Sequence, residues 1–230
     1  MTAAGHDELL DRLAGIDAST ASDALDRLGI DGWAHGLTRQ TTGTILGRAV
    51  TVQLGPIQPP DGSRPPTHLG SSAIDMADPH TVIVVAGGRD DAGGWGGLLT
   101  RAAVRNGVRG VVVDGVVRDT DEASALGFPV FARARTPRTA RGRHQELSTN
   151  NPVRIRGLQV CPGDIVIADG DGVVVIPADR ADEVARVAAE ISAAEQHMAA
   201  RIDLGDALGA VLDARYEYML GDPTENRTAE

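Results

Sequence analysis

Two loops of the chain carry the residues that could do chemistry. One runs from Gly87 to Gly97, between an apolar run and a helix-like segment, and the other contains Asp114, Arg118 and Asp119. Glycines let backbone N–H groups approach a ligand closely, and the first turn of a helix favours an anion. The carboxylate of Asp119 is a hard oxygen ligand suited to Mg²⁺. The guanidinium of Arg118 can hold a carboxylate, or an oxygen on which negative charge builds.

Each loop alone has an ordinary alternative. The glycine-rich loop could be a flexible surface connection, and the second loop could be an acidic turn with one ion pair. The predicted positions of the two loops favour the functional interpretation over these alternatives. Each loop follows one of two strands that are predicted to be neighbours and parallel. Ligands of open α/β sheets gather at the carboxyl ends of such strands. A helix amino terminus, an arginine and a carboxylate would then converge, which fits metal-assisted enolate chemistry on a small oxo-acid.

Composition excludes several other chemistries. All 22 basic residues are arginine, and the chain has no lysine. This excludes a lysine Schiff base, and with it Schiff-base aldolases, pyridoxal-phosphate enzymes and P-loop kinases. The net charge of −10 argues against sequence-independent binding to nucleic acid. Enolate or oxyanion chemistry must therefore use arginine, backbone amides or a metal.

Apolar patterns predict the elements that position the two loops. Residues 82–85 and 110–113 are β-branched runs, typical of strands buried on both faces. Residues 98–106 between them predict a helix, and Gly107 is placed to end it. A strand–helix–strand unit of this length favours parallel pairing of its strands.

The amino-terminal segment predicts two helices in succession. Apolar residues over 9–16 have helical spacing, and a second helix follows over 21–28. Ser19 or Thr20 could cap this second helix, and Gly29 lies where a glycine commonly ends one.

The last third of the chain predicts a hairpin followed by a long helix. The apolar runs 165–168 and 173–176 flank an Asp-Gly-Asp-Gly turn, which is a hairpin signal. We expect one domain over residues 1–230, with a mixed α/β core and an outer β layer. Its outer parts would be amino-terminal helices over about 1–30, a carboxy-terminal helical arm over about 180–220 and a polar tail over 221–230.

Other candidate residues carry weaker signals. The six histidines have no HxH or HExxH spacing, and Cys161 is the single cysteine, so neither type predicts a metal cluster. A basic stretch is either a solvated loop or an interface with an acidic neighbouring subunit, and we favour the interface. Its members are Arg133, Arg135, Arg138, Arg141 and Arg143.

The sequence also predicts where the protein works. Acidic residues stand near the amino terminus, where a signal peptide needs an apolar stretch. No apolar run approaches the roughly 20 residues of a membrane span. We expect a cytoplasmic protein that does not act at a membrane.

Six stretches, taken together, point to one known family. They are Ser-Asp-Ala-Leu-Asp-Arg-Leu-Gly at 22–29, Gly-Arg-Ala-Val-Thr-Val at 47–52, Gly-Gly-Leu-Leu at 96–99, Asp-Gly-Val-Val-Arg-Asp at 114–119, Pro-Gly-Asp at 162–164 and Asp-Gly-Asp-Gly-Val-Val-Val-Ile-Pro at 169–177. The chain resembles the RraA-like family over nearly its whole length. That family includes the regulator of ribonuclease activity A and the 4-hydroxy-4-methyl-2-oxoglutarate/4-carboxy-4-hydroxy-2-oxoadipate aldolases.

The resemblance implies a fold and an assembly. The fold would be a layered α/β/β sandwich similar to the swivelling phosphohistidine-type domain. The assembly would be a homotrimer, sometimes paired into a hexamer, with the site near a subunit interface.

The resemblance also implies roles for the residues of the two loops. Asp119 would hold Mg²⁺ or Mn²⁺, and Arg118 would contact pyruvate, so both would be catalytic. Backbone amides of one turn would also hold the substrate, and that turn consists of Gly96, Gly97, Leu98 and Leu99. The reaction would be carbon–carbon cleavage of a small 2-oxo-dicarboxylic acid through a pyruvate enolate.

One departure from the aldolase pattern concerns the base. The aldolases carry an acidic residue twenty-one positions before the arginine, where this chain has Gly97. Retro-aldol cleavage needs the C4 hydroxyl deprotonated, whereas β-decarboxylation of oxaloacetate does not. We therefore expect decarboxylation to be retained better than aldol cleavage.

Two functions of other classes remain open on the sequence. A non-catalytic regulator that binds a ribonuclease or another protein fits the acidic charge and the family. A nucleotide-binding enzyme would use Gly94-x-Gly96-x-x-Leu99 as a dinucleotide turn, but leucine replaces the third glycine of that motif.

Overall fold

A computed structural model describes residues 7–58 and 68–212, which are organised around one large mixed β-sheet. The strands of this part of the chain are β1 (Thr38–Arg39), β2 (Ile45–Pro56), β3 (Thr81–Ala86), β4 (Gly110–Val117), β5 (Val130–Arg135), β6 (His144–Thr149), β7 (Val153–Ile155), β8 (Leu158–Val160), β9 (Ile165–Ala168) and β10 (Val173–Ile176). The large sheet has the order β1-β5-β4-β3-β2-β9-β10, and β6 also pairs with β2. β7 and β8 form a separate two-stranded sheet.

The centre of the sheet is parallel. β3 pairs with β4 so that Ile83 lies opposite Val111 and Val84 opposite Val112. All of β3 is buried, as its β-branched run predicts. β2 is parallel to β3, and β5 is parallel to β4. The predicted parallel pair is therefore confirmed, and its two carboxyl ends share one edge of the sheet.

The hairpin in the last third is also confirmed. β9 and β10 are antiparallel, with Val173 opposite Ala168, and the Asp169 N–H donates to the Gly172 carbonyl at 3.1 Å. β9 pairs with β2, which joins the hairpin to the central strands. Trp33 forms a bridge to Val174 of β10, and β1, which follows it, pairs with β5. This short segment therefore connects β10, at one end of the strand order, to β5 near the other end, and the sheet is nearly closed, as in a barrel.

Helices pack on one face of the sheet, and the opposite face packs into a core that includes residues of β7 and β8. Within the described residues the helices are α1 (Glu8–Leu13), α2 (Ala18–Arg27), α3 (Ser71–Asp75), α4 (Gly97–Arg105), α5 (Thr120–Ala125), α6 (Ala181–Asp203) and α7 (Leu208–Val211). α4 lies between β3 and β4 in the chain, as predicted. Gly107 follows it with a φ of 77°, which suits the end of a helix.

The amino-terminal cap of α2 differs from the prediction. Asp17, not Ser19 or Thr20, caps this helix, and its side chain accepts from the Thr20 N–H at 2.7 Å. The Ala18 N–H is taken by Asp169 of the β9–β10 turn at 2.8 Å. A carboxylate from a distant turn thus completes the cap, and this placed the helix start earlier than the local pattern indicated.

The long carboxy-terminal helix is packed along its first half. Val184, Val187 and Ile191 of α6 are buried in a core shared with Leu13 of α1 and Leu25 of α2. The second half of α6 is mostly exposed. The polar tail over 221–230 lies outside the described residues.

These elements make a mixed α/β fold. The layered-sandwich comparison, the separate carboxy-terminal arm and the single domain over 1–230 stay predictions. Among the helices of 7–58 and 68–212, none has both the length and the apolar character needed to traverse a bilayer.

Candidate active site

The residues singled out in the two loops meet at the carboxyl ends of β3 and β4. The Gly97 N–H, at the start of α4, donates a hydrogen bond to Asp119 Oδ2 at 2.9 Å. The Arg118 N–H donates to the Trp95 carbonyl at 3.0 Å. The expected convergence of a helix amino terminus, an arginine and a carboxylate is thus present in the structure.

Asp119 reaches the neighbouring helix because of its backbone conformation. It precedes α5 with φ 57° and ψ 35°, in the left-handed region that few residues other than glycine adopt. Its side chain makes no capping bond to α5. Aspartate tolerates this region better than most residues. The conformation turns the carboxylate away from its own helix and toward the first turn of α4.

Arg118 lies across the glycines that precede α4. Its Nε is 3.1 Å from Asp119 Oδ2 and 3.2 Å from Oδ1. A Cβ on Gly93 would come within 2.9 Å of Arg118 Cγ, and a Cβ on Gly96 within 2.9 Å of Asp119 Oδ2. Glycine is therefore needed at both positions for close approach. The side chains of Arg118 and Asp119 are 34% and 35% exposed, so a ligand can reach both.

The first turn of α4 is firmly held and offers free N–H groups. Trp95 is buried, stacks on Phe128 with ring centroids 6.4 Å apart, and donates from Nε1 to Thr100 Oγ1 at 3.0 Å. The first intrahelical bond runs from the Thr100 N–H to the Gly96 carbonyl. The N–H groups of the residues between them therefore have no acceptor within the helix.

The two leucines of this turn have different surroundings. The Leu99 side chain belongs to the core, whereas Leu98 is 78% exposed beside the site. Both can therefore act on a ligand through their N–H groups, and Leu98 also through its side chain.

Gly97 is buried by a residue that the sequence analysis missed. A Cβ on Gly97 would lie 2.8 Å from Glu122 Cδ and closer still to Oε2. Glu122 also accepts a hydrogen bond from Arg101 of α4. The Asp119-x-x-Glu122 spacing is that of a capping box, but Asp119 makes no capping bond to α5, so the spacing does not predict the contact of Glu122 with α4.

Two arginines of the basic stretch shape the glycine-rich loop. Arg133 pairs with Asp90 at 2.6 Å and donates to the Gly88 carbonyl at 2.9 Å. Arg138 pairs with Asp91 at 2.9 Å. Neither of the two interpretations of the basic stretch, a solvated loop or a subunit interface, predicted these partners within the chain. The interface stays a prediction.

The donor set fits a divalent cation that shares its ligands with substrate and water. No group of three or more His, Cys, Asp or Glu side chains able to hold a metal occurs among the described residues. Mg²⁺ usually binds through one or two carboxylates and keeps several waters. Asp119 offers one such carboxylate, which matches that requirement and does not match a dedicated protein cage.

A second polar region lies at the opposite edge of the sheet. A cleft of about 510 Å³ opens there, lined among others by Asp7, Arg48, His80 and Asp182. Asp7 accepts from Arg48 Nε at 2.6 Å and from Nη2 at 3.1 Å, and it caps α1 through the Leu10 N–H. The Arg48 guanidinium holds the pKa of Asp7 below its usual value of 3.8. None of the predicted site residues lines this cleft.

The fold and the site define an α/β protein that gathers an arginine, a carboxylate and helix N–H groups at the carboxyl ends of parallel strands. The RraA-like family model, described as Aldolase/RraA, matches residues 18–175. The chain belongs to the RraA-like family, as its motifs indicated. That family includes aldolases and RraA regulators.

Curated relatives agree with this membership. Protein DlpA of Legionella pneumophila is 34% identical over 218 residues, which is 94% of this chain and 34% of DlpA. A putative 4-hydroxy-4-methyl-2-oxoglutarate aldolase of Burkholderia mallei is 39% identical over 108 residues, 46% of this chain and 65% of that protein. The chain thus spans between a third and two thirds of the length of these relatives.

Solved structures share the fold. An uncharacterised protein from Pseudomonas syringae pv. tomato has a TM-score of 0.80 and 34% identity, covering 90% of this chain and 97% of that one. Streptomyces coelicolor RraAS2, described as an unusual member of the RNase ES inhibitor RraA protein family, has a TM-score of 0.74 and 29% identity. That match covers 84% of this chain and 96% of RraAS2.

Proposed function

We propose that the protein is a divalent-metal-dependent carbon–carbon lyase that acts on a small 2-oxo-dicarboxylic acid through a pyruvate enolate. The observation that carries this is the 2.9 Å hydrogen bond from the Gly97 N–H to Asp119, which brings the start of α4 beside Arg118 and a carboxylate. The aldolase relative supports the same reaction class.

The chain's own groups would bind the substrate and stabilise the enolate. The free N–H groups of Leu98 and Leu99 bind the substrate's carboxylate, and the Arg118 guanidinium faces its 2-oxo group. As the carbon–carbon bond breaks, its electron pair becomes the enolate, and these donors stabilise the negative charge that develops on oxygen. Asp119 would hold the cation, either Mg²⁺ or Mn²⁺, which supplies Lewis-acid stabilisation of the enolate when bound.

Two reactions share this enolate. Decarboxylation of oxaloacetate releases CO₂ and needs no base at C4. Retro-aldol cleavage of 4-hydroxy-4-methyl-2-oxoglutarate gives two pyruvates and needs the C4 hydroxyl proton removed. The first reaction requires fewer groups at the site, so we expect it in any active preparation.

The test is pyruvate release from both substrates with Mg²⁺ or Mn²⁺. Asp119→Asn preserves a residue that tolerates the left-handed backbone, and it should lower turnover by about 10²–10³-fold or more while weakening Mn²⁺ binding. Asp121→Asn, two residues away and exposed, is the matched control and should behave as wild type. Absence of pyruvate from both substrates would contradict the proposal, as would an Asp119→Asn variant with normal turnover and normal Mn²⁺ affinity.

A regulatory role is the second candidate, because the Streptomyces relative belongs to a family named for inhibition of RNase ES. The net charge of −10 suits a basic protein partner. Under this reading, wild type and Asp119→Asn should inhibit RNase ES equally. A lyase without regulatory function should leave RNase ES activity unchanged.

We also propose a homotrimer or a hexamer. Leu98 is a large apolar side chain exposed beside the site, and a neighbouring subunit or the substrate would cover it. Sedimentation equilibrium distinguishes these assemblies from a monomer.

A further inference from the structure

Retro-aldol cleavage needs a group that accepts the proton of the C4 hydroxyl. Asp119 is a poor candidate for this group, because it already has other partners. Its Oδ2 accepts the Gly97 N–H, and Arg118 Nε contacts both of its oxygens. Both oxygens of Asp119 are therefore engaged, and in the proposed function this carboxylate also holds the cation. A second carboxylate at the same turn is therefore the next candidate for the proton acceptor.

Glu122 lies where such a group is needed. Its carboxylate rests on the Cα side of Gly97, so closely that no side chain at position 97 fits while it stays there. Arg101 of α4 holds its Oε1. The side chain is 34% exposed, so Glu122 is open to substrate and to solvent. Because Gly97 has no side chain, the carboxylate of Glu122 from α5 can occupy this space.

We propose that Glu122 is the catalytic base and acid of the aldol cleavage, an inference that rests on the proposed function. Glu122 accepts the proton of the C4 hydroxyl. The C3–C4 bond breaks, C4 becomes the carbonyl of the first pyruvate, and the electron pair passes to C3 as the enolate. The proton then returns from Glu122 to C3, forms the methyl group of the second pyruvate and regenerates the carboxylate. Oxaloacetate decarboxylation omits the first transfer and depends less on Glu122.

Glu122→Gln keeps the size of the side chain and a hydrogen bond to Arg101. We expect it to lower kcat for 4-hydroxy-4-methyl-2-oxoglutarate by about 10²–10⁴-fold, with little change in KM, because it removes general acid–base catalysis and leaves the binding groups. Oxaloacetate decarboxylation should fall less than tenfold. Exchange of the pyruvate methyl protons with D₂O, followed by NMR, should slow in parallel with aldol cleavage. Asp121→Asn, an exposed carboxylate on the same helix, is the control and should match wild type in all three assays.

Gly97→Ala provides a second variant that leaves Glu122 intact. Alanine is a good helix former, so α4 should persist, but its Cβ would displace the Glu122 carboxylate. This variant should show the same selective loss of aldol cleavage.

The outcomes separate the inference from the function beneath it. Wild-type rates of aldol cleavage and proton exchange in Glu122→Gln would overturn the role of Glu122 and leave the lyase in place. Equal losses of both reactions in Glu122→Gln would also overturn it, because they would indicate a structural role. A wild-type protein that releases no pyruvate and exchanges no methyl protons would overturn the proposed function, and this inference with it.

Discussion

The sheet carries an aspartate–arginine pair at each of two opposite edges, and the two pairs are built differently. Asp7 and Arg48 are far apart in sequence and are joined through two guanidinium nitrogens, at 2.6 and 3.1 Å, and Asp7 also caps a helix. Arg118 and Asp119 are adjacent in sequence and meet through one guanidinium nitrogen at 3.1–3.2 Å. No hydrogen bond joins the Nη atoms of Arg118 to any described residue. The hydrogen-bonding groups of Asp7 and Arg48 mostly bind other parts of the protein, whereas Arg118 keeps its Nη atoms available for a ligand.

The exposure of the two carboxylates follows the same division, whereas the two arginine side chains are about equally exposed. The Asp7 side chain is 15% exposed, against 35% for Asp119. Proximity of an acidic and a basic side chain therefore says little about their role. What matters is how many bonds each group still has to offer and whether a ligand can reach it.

Among the variants that test this comparison, removal of the arginine of the candidate site should give the largest effect. Arg118→Met keeps the length of the aliphatic chain that covers Gly93 but removes the charge. Loss of one preorganised donor to the developing enolate should lower kcat/KM by about 10²–10³-fold. Thermal unfolding should hardly change, because the pair is partly exposed. Steady-state kinetics and calorimetry on one preparation test both halves, and a variant that unfolds early but turns over normally would reverse the two assignments.

The opposite result is expected for the other pair. Asp7→Asn keeps a side chain that can cap α1 but removes the charge that Arg48 faces. Hydrogen bonds to charged groups are worth about 1.5–3 kcal/mol, so the free energy of unfolding should fall by about 1–2 kcal/mol, with pyruvate release unchanged. Urea denaturation measures the stability, and Glu8→Gln, which removes an exposed carboxylate of the same helix, is the control for charge alone. A loss of turnover in a folded Asp7→Asn protein would make the cleft part of the active site.

The stabilisation from Asp7 should depend on pH in a defined direction. Arg48 lowers the pKa of Asp7 below 3.8, so the folded state binds this proton more weakly than the unfolded state does. The contribution is complete above the unfolded value and is lost as pH falls through the folded one. The difference in urea midpoint between wild type and Asp7→Asn should therefore be constant from pH 7 to pH 5 and shrink below about pH 4. A difference that grows with acidity would contradict this sign.

The smallest effect is expected for the ion pair of Arg12 with Asp182 beside the same cleft. Both side chains are well exposed, at 48% and 82%. Solvent screening leaves such pairs about 0–1 kcal/mol, so Asp182→Asn should shift the unfolding free energy by less than about 0.5 kcal/mol. A cost equal to that of Asp7→Asn would show that exposure does not separate the two pairs.

Much of the central fold could be predicted from local pattern. The runs 82–85 and 110–113 are so rich in β-branched residues that buried parallel strands were the natural expectation, and the hairpin turn at 169–172 was equally plain. The predicted cap of α2 was wrong, because Asp17 caps the helix. Asp17 is of a residue type that favours this position, so a local signal existed, whereas the contact of Asp169 with the Ala18 N–H comes from a distant turn and has no local signal.

The candidate site was predictable to the extent that it follows from parallel strands. Two loops after neighbouring strands must share an edge, so Arg118 and Asp119 were expected near Gly97. Glu122 was not, because an acidic residue early in a helix is ordinary. Its importance depends on how α5 lies against α4, and only the three-dimensional arrangement provides that.

The left-handed backbone of Asp119 has a consequence for engineering this protein. A residue other than glycine in that region carries strain of about 1 kcal/mol or more, which glycine would relieve. A library selected only for heat resistance should therefore accumulate glycine at position 119 and yield hardier proteins without the carboxylate. Durability and turnover compete at this position, so any selection for one must also screen for the other.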